Sequence, residues 1–175
     1  MVLTSAAKAE LTLASFLTDQ AIYNQWANQR LVDWLKTKPA ELMDQVVPSS
    51  FPSVKETLVH IWDTQRFWLS ILKQTPPLPS FRLSGFDGTL DAVFEGITDN
   101  SVEMADYLQS LTAAEWQENV IFTSPWAEGI RSRLEFTQHC LYHSAYHRGQ
   151  VVTIGRNVGL TDAPMTDYSF YFLMK

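Results

Sequence analysis

Positive charge is scarce in this sequence of 175 residues. Its 13 Lys and Arg residues are outnumbered by 19 Asp and Glu residues, which gives a formal net charge of -6 and a pI of about 5.1. The basic residues are scattered, so the clustered cations that bind a polyanion through counterion release are missing. This pattern argues against nucleic acid as a partner.

Cysteine and long apolar runs are scarce as well. Cys140 is the only cysteine, so no disulfide can form within the chain and no oxidising compartment is needed. No window approaches the run of about 20 apolar residues that spans a membrane, and the N-terminal residues lack the basic start and apolar run of a signal peptide. We therefore expect a cytoplasmic protein that does not enter a membrane, with Cys140 as inert packing.

Apolar side chains, in contrast, are plentiful. Hydrophobic residues make up 46% of the chain and aromatic residues 13%, which is enough for the core of one domain over residues 1–175. Apolar residues recur at helical spacing in four long segments, residues 10–36, 54–73, 90–111 and 134–158. The predicted fold is all-α, a four-helix bundle with long crossover connections.

Local signals predict where these helices end and what lies between them. Ser53 with Glu56, and Thr112 with Glu115, have the spacing of capping boxes, and Gly159 suits a left-handed helix end. Residues 120–123 and 129–134 are predicted to form a short β-ribbon or an ordered loop before the last long helix. The aromatic tail beyond residue 160 should dock on the bundle or line a subunit interface.

The most informative stretch is residues 139–150, which read His-Cys-Leu-Tyr-His-Ser-Ala-Tyr-His-Arg-Gly-Gln. Its three histidines, His139, His143 and His147, are four residues apart, so they project from roughly the same side of a helix. Apolar residues continue this stripe beyond Gln150, which predicts that the histidines face the core. A buried neutral imidazole keeps a lone pair that needs a partner, and a divalent metal is a partner that imidazoles at i and i+4 can share.

The fourth histidine, His60, lies in another apolar helical segment, residues 57–68. Two imidazoles from one helix and one from a facing helix give three protein ligands and leave a position for water or substrate, which is typical of a catalytic site. Two familiar metal sites are excluded. Ser144 stands where the His-Glu-x-x-His metalloproteases have glutamate, and Glu56 and Glu135 precede histidines by four residues, not by the three of di-iron bundles.

Four segments together resemble a known family. They are Tyr-Asn-Gln-Trp-Ala-Asn-Gln-Arg-Leu at residues 23–31, Val-Lys-Glu-Thr-Leu-Val-His-Ile-Trp at 54–62, His-Ser-Ala-Tyr-His-Arg-Gly-Gln at 143–150 and Asp-Ala-Pro-Met-Thr-Asp at 162–167. In this order, over nearly the whole chain, they are similar to the DinB/YfiT-like superfamily and closest to its DinB branch. The His-x-x-x-His-Arg-Gly-Gln element is the most specific of them.

The resemblance implies a four-helix bundle, often homodimeric, that binds one divalent metal ion. Carried over position by position, the metal ligands are His60, His143 and His147. His139 then hydrogen-bonds a ligand, contacts substrate or packs in the core, and Gln150 is expected to orient a ligating imidazole.

Three other polar residues of the matching segments are interpreted as structural. Arg148 is expected to form an ion pair rather than an anion-binding site. Asn24 and Asn28 are interpreted as solvated amides among packed aromatic side chains.

The sequence thus favours a metal-dependent enzyme with a small-molecule substrate. Zinc, nickel and iron(II) all suit imidazole ligands, and such an ion lowers the pKa of bound water or of a bound thiol. The resemblance implies the reactions that follow, because related families include metal hydrolases and S-transferases that use low-molecular-weight thiols. Asp63 and Tyr146 are the candidates for a general base. One alternative is a non-catalytic, stress-associated metal-binding bundle, which predicts a filled coordination sphere and no pocket beside the metal. Another is a set of histidines bonded to core polar groups without metal.

Overall fold

Seven helices and one two-stranded sheet make up the part of the chain that the computed structural model describes, residues 11–124 and 127–174. The helices are α1 (Leu13–Lys36), α2 (Val54–Lys73), α3 (Phe81–Ser84), α4 (Leu90–Ser110), α5 (Ala113–Gln117), α6 (Arg133–Asn157) and α7 (Tyr168–Met174), with a 3₁₀ turn at Ala40–Met43. Strand β1 (Asn119–Thr123) pairs antiparallel with β2 (Glu128–Ser132). The all-α class and the short ribbon before the last long helix are confirmed. None of the described helices is long and apolar enough to cross a bilayer.

The long helices are not packed in chain order. α1 packs against α4 and α6, and α2 packs against the same two helices. α1 and α2 are therefore diagonally opposite, as are α4 and α6, so the connections from α1 to α2 and from α4 to α6 both cross an end of the bundle. This is the predicted arrangement with long crossovers. Its consequence for the site is that α2 and α6 lie side by side.

Local capping signals set most helix ends. Residue 10, the predicted start of the first helix, lies outside the described residues together with the N-terminal segment before it, and α1 begins at Leu13. The predicted capping box between Thr112 and Glu115 forms at the start of α5. At α2 only half of the predicted box is present: Ser53 accepts from the backbone N–H of Glu56 at 3.1 Å, but the glutamate side chain does not return a bond. The Glu56 side chain instead lines a cavity.

Gly96 allows α2 and α4 to approach closely. The indole ring of Trp62 occupies the space beside it, and a Cβ at this position would lie 2.2 Å from a ring atom. Glycine in the middle of a helix costs about 1 kcal/mol relative to alanine. Despite this cost, α4 is continuous from Leu90 to Ser110.

Two apolar clusters fill the bundle, and a layer of buried polar side chains lies between them. Every long helix contributes to this central polar layer, which consists of Asn24, Asn28, Gln65, Asn100, Ser101, Ser144 and Arg148. Gln65 links three of the helices. Its Oε1 accepts from the side-chain amides of Asn24 and Asn28 at 3.2 and 3.3 Å, and its Nε2 donates to Ser101 Oγ at 3.1 Å. The interpretation of Asn24 and Asn28 as solvated amides is therefore wrong, since both are 2% exposed.

Arg148 is the charged member of the central polar layer, and the ion pair predicted for it is also wrong. Its Nη1 donates to Asn24 Oδ1 at 2.6 Å, to Asn28 Oδ1 at 2.9 Å and to Ser144 Oγ at 3.0 Å. Its guanidinium lies 5.6 Å from the centre of the Tyr23 ring. Ser144 lies one turn before Arg148 on α6, where an acidic residue could have formed the ion pair. This position carries a hydroxyl instead. Neutral oxygens solvate the buried cation instead.

The C-terminal segment docks on α1, as predicted for the aromatic tail. The Tyr168 hydroxyl donates to Asp19 Oδ2 at 2.8 Å. The buried Tyr171 ring lies 5.5 Å from the ring of Trp26. The tail therefore covers the aromatic face of the first helix.

Candidate metal centre

Three histidine side chains converge where α2 packs against α6. His60 comes from α2, two turns after the helix begins, and His143 and His147 come from α6, one turn apart. The Nε2 atom of His147 lies 3.1 Å from Nε2 of His60 and 3.1 Å from Nε2 of His143. One potential ligand atom from each residue lies within 4.8 Å of the others. These distances suit three nitrogens around one ion, since two ligands at about 2.1 Å in a tetrahedral site lie about 3.4 Å apart.

Hydrogen bonds between the three imidazoles cannot account for both short contacts at Nε2 of His147. A neutral imidazole carries one N–H and one ring lone pair, so Nε2 of His147 has either a single proton or a single lone pair to offer. Two other Nε2 atoms nevertheless approach it at the same distance of 3.1 Å. One ion between the three lone pairs uses all of them. The residues present therefore fit a divalent metal.

Neighbouring side chains fix two of the imidazoles. Nδ1–H of His147 donates to Gln150 Oε1 at 2.6 Å, which leaves the lone pair on Nε2, toward the other two rings. Thr64 Oγ1 lies 3.4 Å from Nδ1 of His60, while its hydroxyl donates to the His60 carbonyl at 2.7 Å. The ring of Phe51 stacks on His60 with centroids 4.1 Å apart. Hydrogen bonds to the remote nitrogen are the usual way in which proteins orient ligating histidines.

Sequence reasoning identified Gln150 but missed Thr64 and Phe51. Thr64 had a local signal, because it follows His60 by four residues and so lies one turn further along the same helix. Phe51 had none. It lies in the loop before α2, and only the folding of that loop brings it against the imidazole.

Burial keeps the three histidines neutral. Loss of solvent, the neighbouring His147 and His143 rings and Arg82 lower the pKa of His60 from 6.5 to about 3. Loss of solvent and the neighbouring His147 and His139 rings lower the pKa of His143 to about 4. Burial also lowers the pKa of His147, and its bond to Gln150 partly opposes this. Imidazoles that stay unprotonated at neutral pH have their lone pairs available for a metal ion.

His139 does not join the other three. Its side chain is exposed, and its ring packs on Trp68 with centroids 4.7 Å apart. The prediction that all three histidines of α6 face the core is wrong for this residue. Four residues advance a helix by about 400°, so positions eight residues apart differ by about 80° in direction. The side chain of His139 therefore leaves the helix in a direction about 80° from that of His147.

The two candidates for a general base lie near the centre in different surroundings. Asp63 uses both carboxylate oxygens: Oδ2 accepts from the Ser80 hydroxyl at 2.6 Å and Oδ1 from the Phe81 N–H at 3.0 Å. Tyr146 is 65% exposed, its ring lies 5.0 Å from the ring of His147, and its hydroxyl accepts from Gln150 Nε2 at 3.3 Å. Asp63 thus anchors the start of α3.

Two cavities reach the centre, and His60 lines both. The first has a volume of about 440 Å³ and a lining with charges of both signs, from Asp44, Lys55, Glu56, Asp63 and Arg82. The second has a volume of about 460 Å³ and a mostly apolar lining between α2, residues 77–83 and the end of β1. Sites for small molecules have volumes of about 300–1,000 Å³. Each cavity can therefore admit a small molecule to the face of the centre at His60.

Crossed connections and three convergent imidazoles from two facing helices define the class: a four-helix bundle with a three-histidine cluster whose geometry suits a metal ion. The model of the DinB family matches residues 14–174. The chain belongs to the DinB family, and the resemblance drawn from the sequence motifs is confirmed.

Relatives of known sequence or structure agree with this assignment. Protein DinB of Bacillus subtilis is 27% identical over 157 residues, which cover 87% of this chain and 91% of that protein. The structure of YfiT from Bacillus subtilis superposes with a TM-score of 0.68 at 11% identity, over 89% of this chain and 94% of that one. A DinB-like protein of the same organism, YjoA, gives a TM-score of 0.61 at 14% identity, over 87% of this chain and 97% of that one. The two structures share the fold of this chain.

Proposed function

We propose that this protein is a metal-dependent enzyme that acts on a small molecule. His60, His143 and His147 hold one divalent ion, and the substrate approaches it from the cavities beside His60. The observation that carries this proposal is the convergence of three neutral Nε2 atoms on one point next to open space. When bound, such an ion lowers the pKa of water or of a thiol and supplies a nucleophile near neutral pH.

The surrounding residues prepare the site. Gln150 and Thr64 hold the remote nitrogens of His147 and His60, so both rings keep their lone pairs toward the centre. Phe51 covers one face of His60 and excludes water from it. We assign Asp63 a positioning role, because its oxygens already hold residues 80–82 at the edge of the cavities. Tyr146 stays a candidate for proton transfer.

The non-catalytic bundle is the weaker candidate. It predicts a metal with all of its positions filled and no pocket beside it. Only three ligand side chains converge among the described residues, and two cavities reach His60. Three neutral imidazoles also leave the charge of a divalent ion unbalanced, which favours an anionic ligand from outside the protein.

Metal content tests the centre directly. We expect about one transition metal ion per chain by inductively coupled plasma mass spectrometry on untagged protein, as three protein ligands imply. His60→Ala and His143→Ala should each lose it, while His139→Ala should retain it. Circular dichroism shows whether each variant is folded. A folded His60→Ala protein that keeps the full metal content contradicts a site shared between α2 and α6, and a His143→Ala protein with full turnover on an identified substrate contradicts the enzyme.

Water and thiol chemistry can be separated spectroscopically. YfiT has been described as a probable metal-dependent hydrolase, which supports water as the nucleophile, while the site equally suits a low-molecular-weight thiol co-substrate. Cobalt(II) loaded into the site in place of the native ion would gain a sulfur-to-metal charge-transfer band if a thiol such as 2-mercaptoethanol binds. If saturating thiol leaves the spectrum unchanged, hydrolysis is the remaining proposal.

We further propose that the chain forms a homodimer. α7 packs on α1, and these two helices leave five large apolar side chains between 40% and 82% exposed: Leu13, Phe16, Phe172, Leu173 and Met174. Monomers seldom leave several large apolar side chains exposed together without a partner.

The cytoplasmic location stays a prediction. It agrees with Cys140, which is buried as a free thiol and whose pKa burial raises to about 12.

A further inference from the structure

The second cavity, which we call the apolar cavity, combines an apolar wall with charged side chains. This combination favours one class of ligand. Its apolar lining comes from α2, from residues 77–83 and from β1, and includes Phe67, Trp68, Leu78, Leu83 and Phe122. Its polar lining includes His60, Asp63, Arg66 and Arg82. The apolar cavity therefore runs from solvent to the metal centre.

The half-buried Phe122 ring, backed by the buried Trp68 ring, forms an aromatic wall that we call the platform. The rings of Trp68 and Phe122 stack with centroids 5.1 Å apart and an interplanar angle of 15°. Across the cavity, Leu78 and Leu83 are 60% and 71% exposed, although both are large apolar side chains. An aromatic or similarly flat apolar group between the platform and these leucines would remove both surfaces from water.

Arg66 supplies positive charge beside this platform. Its guanidinium stacks on the Phe81 ring at 4.1 Å and lies 3.6 Å from Asp63 Oδ1, too far for a hydrogen bond. Its Nη1 is buried and has no hydrogen-bond acceptor among the described residues. Asp63 is the anion nearest to Arg66, and it also accepts bonds from Ser80 and Phe81. Because Arg66 lines the apolar cavity, the acidic group of a ligand there can pair with the part of its guanidinium that faces the cavity.

We propose that the apolar cavity binds an amphiphilic organic anion, with its aromatic or flat apolar body against the platform and its acidic group beside Arg66. Arg82, which lines both cavities, adds to the positive charge at the end of the cavity nearest His60. The identity of this anion as the substrate rests on the proposed metal centre; its binding does not. The first cavity also has three phenylalanine rings in its lining, but acidic and basic side chains are mixed around them.

Two fluorescent probes separate the contributions of body and charge. The probe 8-anilinonaphthalene-1-sulfonate has a flat aromatic body and a negative charge, and N-phenyl-1-naphthylamine has the same rings without the charge. We expect wild-type protein to bind the anion more tightly than the neutral probe. Arg66→Gln should lower the affinity for the anionic probe by about tenfold, which corresponds to the loss of one charged hydrogen bond. It should leave the affinity for the neutral probe unchanged. Leu83→Asp should weaken both probes, because it places a charge on the apolar wall.

Matched controls tie these effects to the apolar cavity. Val46→Asp changes another exposed apolar residue, 76% exposed and outside the cavity lining, and should leave both affinities unchanged. If the neutral probe weakens as much as the anion in Arg66→Gln, or if Leu83→Asp has no effect, the proposal is wrong. The folded state of each variant is checked by thermal unfolding.

Metal content is measured in the same samples. If Arg66→Gln or Leu83→Asp weakens probe binding as expected while its metal content stays normal, ligand binding in the apolar cavity is established independently of the metal centre. If the protein proves to contain no metal while the probes behave as expected, the cavity stands and the enzyme proposal fails. The two proposals can therefore fail separately.

Discussion

At the scale of single residues, the amide of Gln150 decides which nitrogen of His147 faces the other imidazoles. Its Oε1 lies 2.6 Å from Nδ1 and therefore holds the proton there. The opposite tautomer would place a proton on Nε2, between two neighbouring nitrogens. The amide thus prepares the lone pair of His147 for the proposed metal ion without touching the position of that ion.

We predict that Gln150→Leu weakens metal binding by about 10–100-fold, the usual cost of losing such a partner. Competition with a chromophoric chelator measures the affinity. The control is Tyr146→Phe, which removes the acceptor for Gln150 Nε2 but leaves the bond to His147 intact. Equal losses in the two variants would contradict the assigned role of the amide oxygen.

Acid should destabilise the metal-free protein through the same histidines. The folded-state pKa values of His60 and His143, about 3 and about 4, lie below the ordinary value of 6.5. Between these values the unfolded chain binds more protons than the folded one, so the stabilising contribution is complete above about pH 6.5 and is lost as the pH falls.

Urea unfolding at a series of pH values checks this prediction. The free energy of unfolding of the metal-free wild type should decline from about pH 6.5 downward. His143→Gln, which cannot titrate, should decline less steeply. An identical decline in both proteins would assign the acid sensitivity to other groups.

The residue scale also shows what the sequence could and could not predict. Helical spacing placed His139, His143 and His147 on one side of a helix, because a helical turn is local geometry, but it misplaced His139, because a small rotation per turn accumulates. The residues alone suggested His60 as a further ligand, and family resemblance selected His143 and His147 on the last long helix. The contact of Phe51 with His60 depends on how a loop folds, which no local pattern encodes.

At the scale of helices, close packing between α2 and α4 depends on the missing side chain at Gly96. We predict that Gly96→Ala lowers the free energy of unfolding by about 1–3 kcal/mol, because its Cβ must displace the Trp62 ring. Gly149→Ala is the matched control in α6, where a Cβ would meet nothing within 4 Å. It should stabilise the protein by about 0.5–1 kcal/mol through helix propensity. Chemical denaturation measures both, and equal effects would show that packing at Gly96 is unimportant.

Helix ends were predictable and helix interiors less so. The predicted bounds of α2 match the structure, because a serine cap and a proline-rich exit set them locally. The central polar layer was not foreseen. Asn24, Asn28 and Arg148 are polar residues that sequence alone assigns to solvent or to an ion pair. Only the assembled bundle shows that they satisfy one another, together with Gln65, across three helices.

At the scale of the whole molecule, the exposed apolar residues of α1 and α7 predict self-association. We expect a dimer by size-exclusion chromatography with multi-angle light scattering, and a shift toward monomer in the variant Phe172→Asp/Leu173→Asp. Val102→Asp, a partly exposed apolar site on α4, should remain dimeric. A wild-type protein that stays monomeric at high concentration would refute this interface.

The crossed connections also fix when the centre can form during synthesis. His60 and His147 are separated by 87 positions in the chain, and their helices meet only after α6 has left the ribosome. Until then a nascent chain carries one imidazole of the three, which is too few to retain an ion. The proposed metal ion can therefore be retained only once α6 has packed against α2, so metal loading follows assembly of the bundle rather than guiding its early folding.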